Sequence, residues 1–202
     1  MAERRFAFTR IDTRERSWQT AWPRLDSEVL PRWRERGVVV WGAFHGLFGI
    51  ASSDLVLLTF NARGSALPEV SAAEGVIRES YEWRATARPH GVPSRLDRPG
   101  LYVFRFFEVA ERDVDEIVRL SAEAWTTFEG VADYRAEPLA LFRAAADVAT
   151  SEGRMLLLTW YDGFGSWERS RRPAPAAREN FARRHALTRG TVAYATRLVG
   201  SE

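Results

Sequence analysis

Arg105 interrupts the aromatic run Tyr102-Val103-Phe104-Arg105-Phe106-Phe107, and it is the residue whose setting most demands a chemical account. A charge on an otherwise apolar strand must find a partner, because an unpaired buried ion is very costly. Two readings follow. Arg105 is either a clamp for an anion or carbonyl group inside a pocket, or a strand-face arginine paired with Glu108, Glu111 or an acid on a neighbouring strand. The three histidines, 45, 90 and 185, are isolated in sequence. His45 has the strand parity of Trp41 and is expected to face inward, where it could meet Arg105 as an acid or base. His185 lies one helical turn after Phe181. His90 falls in a Pro/Gly-rich stretch and reads as solvated. Tyr102, Tyr134, Trp160 and Tyr161 offer aromatic surface with a polar handle, the lining of a small-molecule cavity or ordinary core. The candidate catalytic pair is therefore His45 and Arg105, and the candidate ligand-binding set is Tyr102, Tyr134, Trp160 and His185.

The motifs for other chemistries are missing. The chain has no Cys, which removes disulfides, thiolate metal sites and a Cys nucleophile. It has no Lys either, so the 29 Lys+Arg residues are all Arg and no Walker-type phosphate loop can form. Gly163-Phe164-Gly165 lacks the third glycine of a dinucleotide loop and reads as a turn. No metal site and no cofactor are indicated. Net charge is only +2 although the pI is about 9.4. Arg169, Arg171, Arg172, Arg178, Arg183, Arg184 and Arg189 form a basic stretch opposed by Glu168 and Glu179. With few interleaved aromatics it reads as a solvated face, and no nucleic-acid partner is expected. No apolar segment approaches the roughly 18 residues of a membrane-spanning helix. No membrane partner is expected, and a chain that needs no disulfide suits the cytoplasm.

These residues must be positioned by elements with a clear period. Phe6 to Asp12 reads as a first strand. Trp18, Trp22, Leu25, Val29 and Trp33 mark one helix face, interrupted by Pro23 and Pro31 and stopped at Gly37. Val38 to Phe48 and Leu55 to Asn61 read as strands joined by a Ser52-Ser53-Asp54 turn. Leu67 to Glu79 reads as a short helix and Tyr81 to Arg88 as a strand. Three prolines and two glycines between Arg88 and Gly100 make a linker. The order then repeats: strand Leu101 to Val109, helix capped by Asp113 with Trp125 and Phe128 on its apolar face, a poorer strand Tyr134 to Arg143, strand Met155 to Tyr161, helix Glu179 to Leu187 and strand Thr191 to Val199.

The repetition has landmarks. Leu57-Leu58-Thr59-Phe60 and Leu157-Leu158-Thr159-Trp160 are the same word, 100 positions apart. Trp33 and Trp125 end the first helix of each half. This points to a duplicated β-α-β-β-α-β unit, residues 1–88 and 101–202, joined by a linker at 89–100. The expected fold is α+β: tandem ferredoxin-like repeats whose antiparallel sheets pack into an intramolecular pseudo-dimer, with further homo-oligomerisation open.

The two Leu-Thr strands, with the tail Phe181-Ala182-Arg183-Arg184-His185-Ala186-Leu187-Thr188 and the strand Thr191 to Val199, resemble NIPSNAP-type proteins of the dimeric α/β-barrel superfamily. The resemblance covers nearly the whole chain as two copies. It implies a barrel fold shared by quinone-forming monooxygenases and haem-handling enzymes. The function it suggests is binding of a small aromatic or lipophilic molecule in the barrel, with cofactor-independent monooxygenase-like chemistry. The alternatives are a non-catalytic scaffold and a haem-binding protein with His45 or His185 as axial ligand.

Overall fold

The computed structural model describes residues 4–61, 75–145 and 152–200. The described residues include eight strands and five helices. The strands are β1 (Arg5–Asp12), β2 (Val38–Phe48), β3 (Asp54–Asn61), β4 (Val76–Arg88), β5 (Leu101–Ala110), β6 (Ala136–Ala144), β7 (Glu152–Tyr161) and β8 (Thr188–Leu198). The helices are α1 (Trp18–Arg24), α2 (Leu30–Glu35), α3 (Val114–Phe128), α4 (Phe164–Ser170) and α5 (Pro175–Ala186). The helix expected over Leu67–Glu79 lies outside the described residues as far as residue 74. Its last positions, Val76 to Glu79, belong to β4.

The strands close into one antiparallel barrel in the order β1-β3-β2-β8-β5-β7-β6-β4. Within it, β4-β1-β3-β2 and β8-β5-β7-β6 are the same ferredoxin-like order written twice. Two equivalent seams join the quartets. Phe44 pairs with Leu198 where β2 meets β8, and Trp83 pairs with Ala144 where β4 meets β6. The Leu-Leu-Thr strands are β3 and β7, which hold the same place in each quartet. The two sheets thus join edge to edge around a single interior.

Alternation along each strand sends one set of side chains inward and the other out toward the helices. Phe6, Phe8, Phe44, Phe60, Trp83, Tyr102, Phe104 and Phe142 are all inward and almost wholly buried. Their rings meet across the quartets. Phe8 of β1 touches Phe104 and Phe106 of β5 at centroid distances of 5.3 and 5.0 Å. This packing fills the centre of the barrel, and the open space on the barrel axis lies at its mouth, beside Tyr81, Trp83 and Phe106.

The outer face is covered in two places. Ile11, Val38, Val40, Leu55 and Leu57 pack under Leu25, Val29, Leu30 and Trp33 of the first helical segment. That segment is broken by a π-turn over Leu25–Val29, between Pro23 and Pro31, and Ser27 Oγ donates to the Pro23 carbonyl at 2.8 Å. The prolines supply no backbone N–H, so the helical ladder shifts register there. In the second half Trp125 is buried like Trp33. Asp113 precedes α3, but its side chain makes no capping hydrogen bond; a 3₁₀ turn at Glu111–Asp113 leads in instead.

Because the two quartets share one interior, they should unfold together. Phe8→Ala is expected to cost about 3–5 kcal/mol, as large aromatic truncations do, in one cooperative urea transition. Two separated transitions in the parent protein would mean that the halves fold independently.

Candidate functional site

Inward placement of Phe104 and Phe106 leaves Val103, Arg105 and Phe107 on the outer face of β5. Helix α3 presses onto the outer face of the second quartet through a stripe at helical spacing: Val114, Ile117, Ser121, Trp125 and Phe128. Helix α5 is arginine-rich and buries only Ala177 fully. With so little apolar surface it lies along α3 rather than flat on the strands. The gap between sheet, α3 and α5 is a cavity of about 360 Å³, closed at one side by the end of α4.

Arg105, Thr159 and Tyr161 form the strand wall of this cavity, and Trp125, Phe128 and Phe181 form the helix wall. Arg184 and His185 enter from α5, and Ser170 and Arg171 from the end of α4. Among the described residues no Asp or Glu lines it. Among the described residues Arg105 donates no hydrogen bond and has no carboxylate partner. Arg184 donates to the neutral Ser121 hydroxyl at 3.2 Å and lies over the rings of Phe107 and Phe181 at 5.3 and 4.8 Å. Elsewhere the chain pairs its arginines with acids: Arg10 with Asp54, Arg88 with Glu129, Arg143 with Glu111.

The electrostatics follow from this imbalance. Burial pulls the Arg105 guanidinium below its ordinary pKa, and neighbouring Arg171 pushes the same way. Burial, reinforced by Arg105, lowers Arg184 to about 10. Both remain cations at neutral pH. Burial raises the Tyr161 phenol, so it stays protonated there and can donate a hydrogen bond. The Ser170 hydroxyl, which also lines the cavity, donates to the Trp167 carbonyl at 2.7 Å.

The first quartet differs at the corresponding place among the described residues. Arg105 pairs in register with Leu157, and the matching pair on the other copy of the sheet is Thr9 with Leu57. A small hydroxyl thus stands where the second half carries a cation, and aliphatic side chains fill the space under α1 and α2.

Of the candidate site residues read from sequence, Arg105, Tyr161 and His185 come together in the cavity. His45, Tyr102, Tyr134 and Trp160 do not. A register shift between Val40 and Gly42 reverses the parity of β2 beyond it. Trp41 and Phe44 therefore both face inward, and His45 points outward, stacked on Trp18 at 4.6 Å. Gly42 permits this bulge, since a Cβ there would meet the Phe44 ring at 2.6 Å. The expected meeting of His45 with Arg105 is thereby corrected. Tyr102 and Trp160 face the barrel interior and hold the linker: Tyr102 Oη donates to the Arg98 carbonyl at 2.7 Å and Trp160 Nε1 to the Pro99 carbonyl at 3.0 Å. Tyr134 is buried against Phe128, and its hydroxyl lacks a partner. It borders a shallow hollow with Arg88, Glu129 and Trp160, apart from the main cavity.

Sequence reasoning missed the rest of the site. The basic stretch read as solvated turns Arg171, Arg178 and Arg184 toward the cavity. The signal was present, since seven arginines face only two acids there. Gly163-Phe164-Gly165, read as a turn, opens α4 instead. A second hollow at one mouth of the barrel is lined by Tyr81, Trp83, Glu108 and Arg154, with acids and arginines both present. Among the described residues no group of His, Asp or Glu is placed to hold a metal, and no helix is long and apolar enough to cross a membrane.

No protein-family profile matches the chain, and no curated protein matches it in sequence. Solved structures do match in fold. An anthrone oxidase-like protein superposes with a TM-score of 0.63 at 13% identity, over 98% of this chain and 92% of that one. Chlorite dismutase from Candidatus Nitrospira defluvii, in complex with imidazole, gives 0.59 at 8% identity over 98% and 92%. A ferredoxin-fold protein from Listeria monocytogenes, related to antibiotic biosynthesis monooxygenases, gives 0.52 at 11% over 98% and 96%. At these identities the likeness is one of fold. It supports the dimeric α/β-barrel superfold, closed here within one chain.

A cation held beside apolar walls without a counter-ion destabilises the empty protein. Arg105→Leu is therefore expected to raise the thermal midpoint by about 2–4 °C, roughly 1 kcal/mol for a chain of this size. A lowered midpoint would mean that Arg105 is a structural ion-pair partner.

Proposed function

We propose that this protein binds a small organic anion with an apolar or aromatic body, in the cavity between the second sheet quartet and helices α3 and α5. One observation carries the reading: cations converge on a cavity without a carboxylate, and Arg105 has no partner of its own among the described residues. A ligand anion would supply the missing charge, while Trp125, Phe128 and Phe181 would cover its body. The site belongs to the outer wall of the barrel. We further read residues 1–88 and 101–202 as two copies of one NIPSNAP-like unit, of which the second became the binding copy.

The oxidase- and monooxygenase-related names among the fold neighbours favour an enzymatic form of the same reading. In it the bound anion is an activated aromatic that reacts with oxygen in a dry pocket without a cofactor. Oxygen uptake on ligand addition separates this from plain binding. A second reading has His185 in its favour. An imidazole on the cavity rim could ligate a haem iron, and a Soret band after haem addition, lost in His185→Ala, would carry it.

The direct test titrates a panel of small aromatic carboxylates, sulfonates and phosphates into parent protein and Arg105→Leu while following tryptophan fluorescence, since Trp125 lines the cavity. Saturable quenching with the parent and at least about tenfold weaker binding by the variant is expected, the loss of one charge-assisted contact. Equal affinity for both proteins would exclude the cavity as the binding site.

A further inference from the structure

The number of cations in the cavity narrows the kind of anion it takes. Four guanidiniums line it: Arg178 of α5 donates to the Pro173 carbonyl, and three others reach in from three elements, Arg105 from β5, Arg171 from the end of α4 and Arg184 from α5. Arg184 lies over Phe107, which stands two residues from Arg105 on the same outer face. Arg105 is near enough to Arg171 and to Arg184 that the like charges oppose one another. None of the three has an acid opposite it among the described residues. A monoanion placed among them would be outnumbered, leaving like charges opposed across the cavity.

The neutral donors point the same way. The Tyr161 phenol and the Thr159 hydroxyl stand on the strand wall beside Arg105, the phenol within hydrogen-bonding reach of both Thr159 and Ser170. Ser170 donates its proton to the Trp167 carbonyl, so it offers the cavity an acceptor only. Forked guanidiniums and a phenol arriving from different directions suit a head group with several oxygens spread in three dimensions. A flat carboxylate presents two, in one plane.

We infer that the cavity takes a dianionic tetrahedral head group, a phosphate monoester or phosphonate, carried on an apolar body that lies against Trp125, Phe128 and Phe181. This rests on the anion-binding reading above. A phosphate monoester has its second ionisation near pH 6 and carries close to two charges at pH 7.5. A sulfonate has the same shape and one charge.

The experiment is isothermal titration of the whole protein at pH 7.5 with phenyl phosphate, benzenesulfonate and benzoate. Phenyl phosphate is expected to bind at least about tenfold more tightly than benzenesulfonate, the gain from one additional charge-assisted contact. In Arg171→Gln and Arg184→Gln that ratio is expected to fall toward one. Arg171 is exposed at the rim, so its replacement leaves the fold intact even if the α5 variant proves unstable. Benzenesulfonate or benzoate binding as tightly as phenyl phosphate would overturn the dianion assignment and leave an anion cavity standing. A ratio unchanged in Arg171→Gln would overturn the role given to the arginine cluster. Binding of none of the three would overturn both the assignment and the reading beneath it.

Discussion

Rings from two halves of the chain meet inside one closed sheet, and the rest of the molecule is arranged around that contact. Phe8 packs on Phe104 and Phe106, and Phe6 packs on Phe142, so each quartet supplies the other's core. Neither four-stranded sheet could hide this much aromatic surface alone. Closure also pairs part of each edge strand, Phe44–Phe48 with Ala195–Leu198 where β2 meets β8 and Trp83–Arg88 with Leu141–Ala144 where β4 meets β6. Filling the interior has a functional consequence. Space is left at the mouth of the barrel and on the outer face of the wall, under helices, and the two outer faces differ. Under the first helical segment aliphatic side chains interlock. Under α3 and α5 an arginine-rich helix stands off, and a cavity remains.

That cavity is a local violation of the rules that hold elsewhere in the chain. Arginines in this protein are ordinarily matched by acids, along α3 as in Arg119 with Glu116 and Glu123, or between strands. Beside Tyr161 they are not. Local inconsistency of this kind marks a place where stability has been exchanged for binding. The register equivalence of Thr9 and Arg105 sharpens the point: the same position in the same unit carries a compact hydroxyl in one half and an unpaired cation in the other. The second half also has twelve residues more between its Leu-Leu-Thr strand and its last strand, 26 between Tyr161 and Thr188 against 14 between Asn61 and Val76. Those additional residues hold α4 and its following arginines.

Much of the fold was legible in the sequence because it follows from period. The Leu-Leu-Thr words lie on equivalent strands, Trp33 and Trp125 are buried on equivalent helices, and the aromatics flanking Arg105 divide between two apolar faces. Arg105 itself could be found because a charge in an aromatic strand violates its local pattern. What could not be read depended on contacts distant in sequence. One extra residue near Gly42 reverses the facing of His45; a glycine within a strand marks where a bulge can form, but parity alone does not say that one does. Tyr102 and Trp160 look like cavity aromatics until the linker carbonyls of Arg98 and Pro99 come to rest on them. The arginine stretch looks solvated in one dimension, since only the packing of α5 along α3 turns part of it toward the sheet.

The central claim is that ligand binds outside the barrel wall and is held by arginines of the second half. A crystal structure of the protein grown with phenyl phosphate tests it most directly. The account predicts density for the head group between Arg105, Arg171 and Arg184, with the phenyl ring against Trp125 and Phe181 and the barrel interior unchanged. Ligand density at the barrel mouth beside Trp83 and Arg154, with the cavity under α3 and α5 holding only solvent, would contradict it.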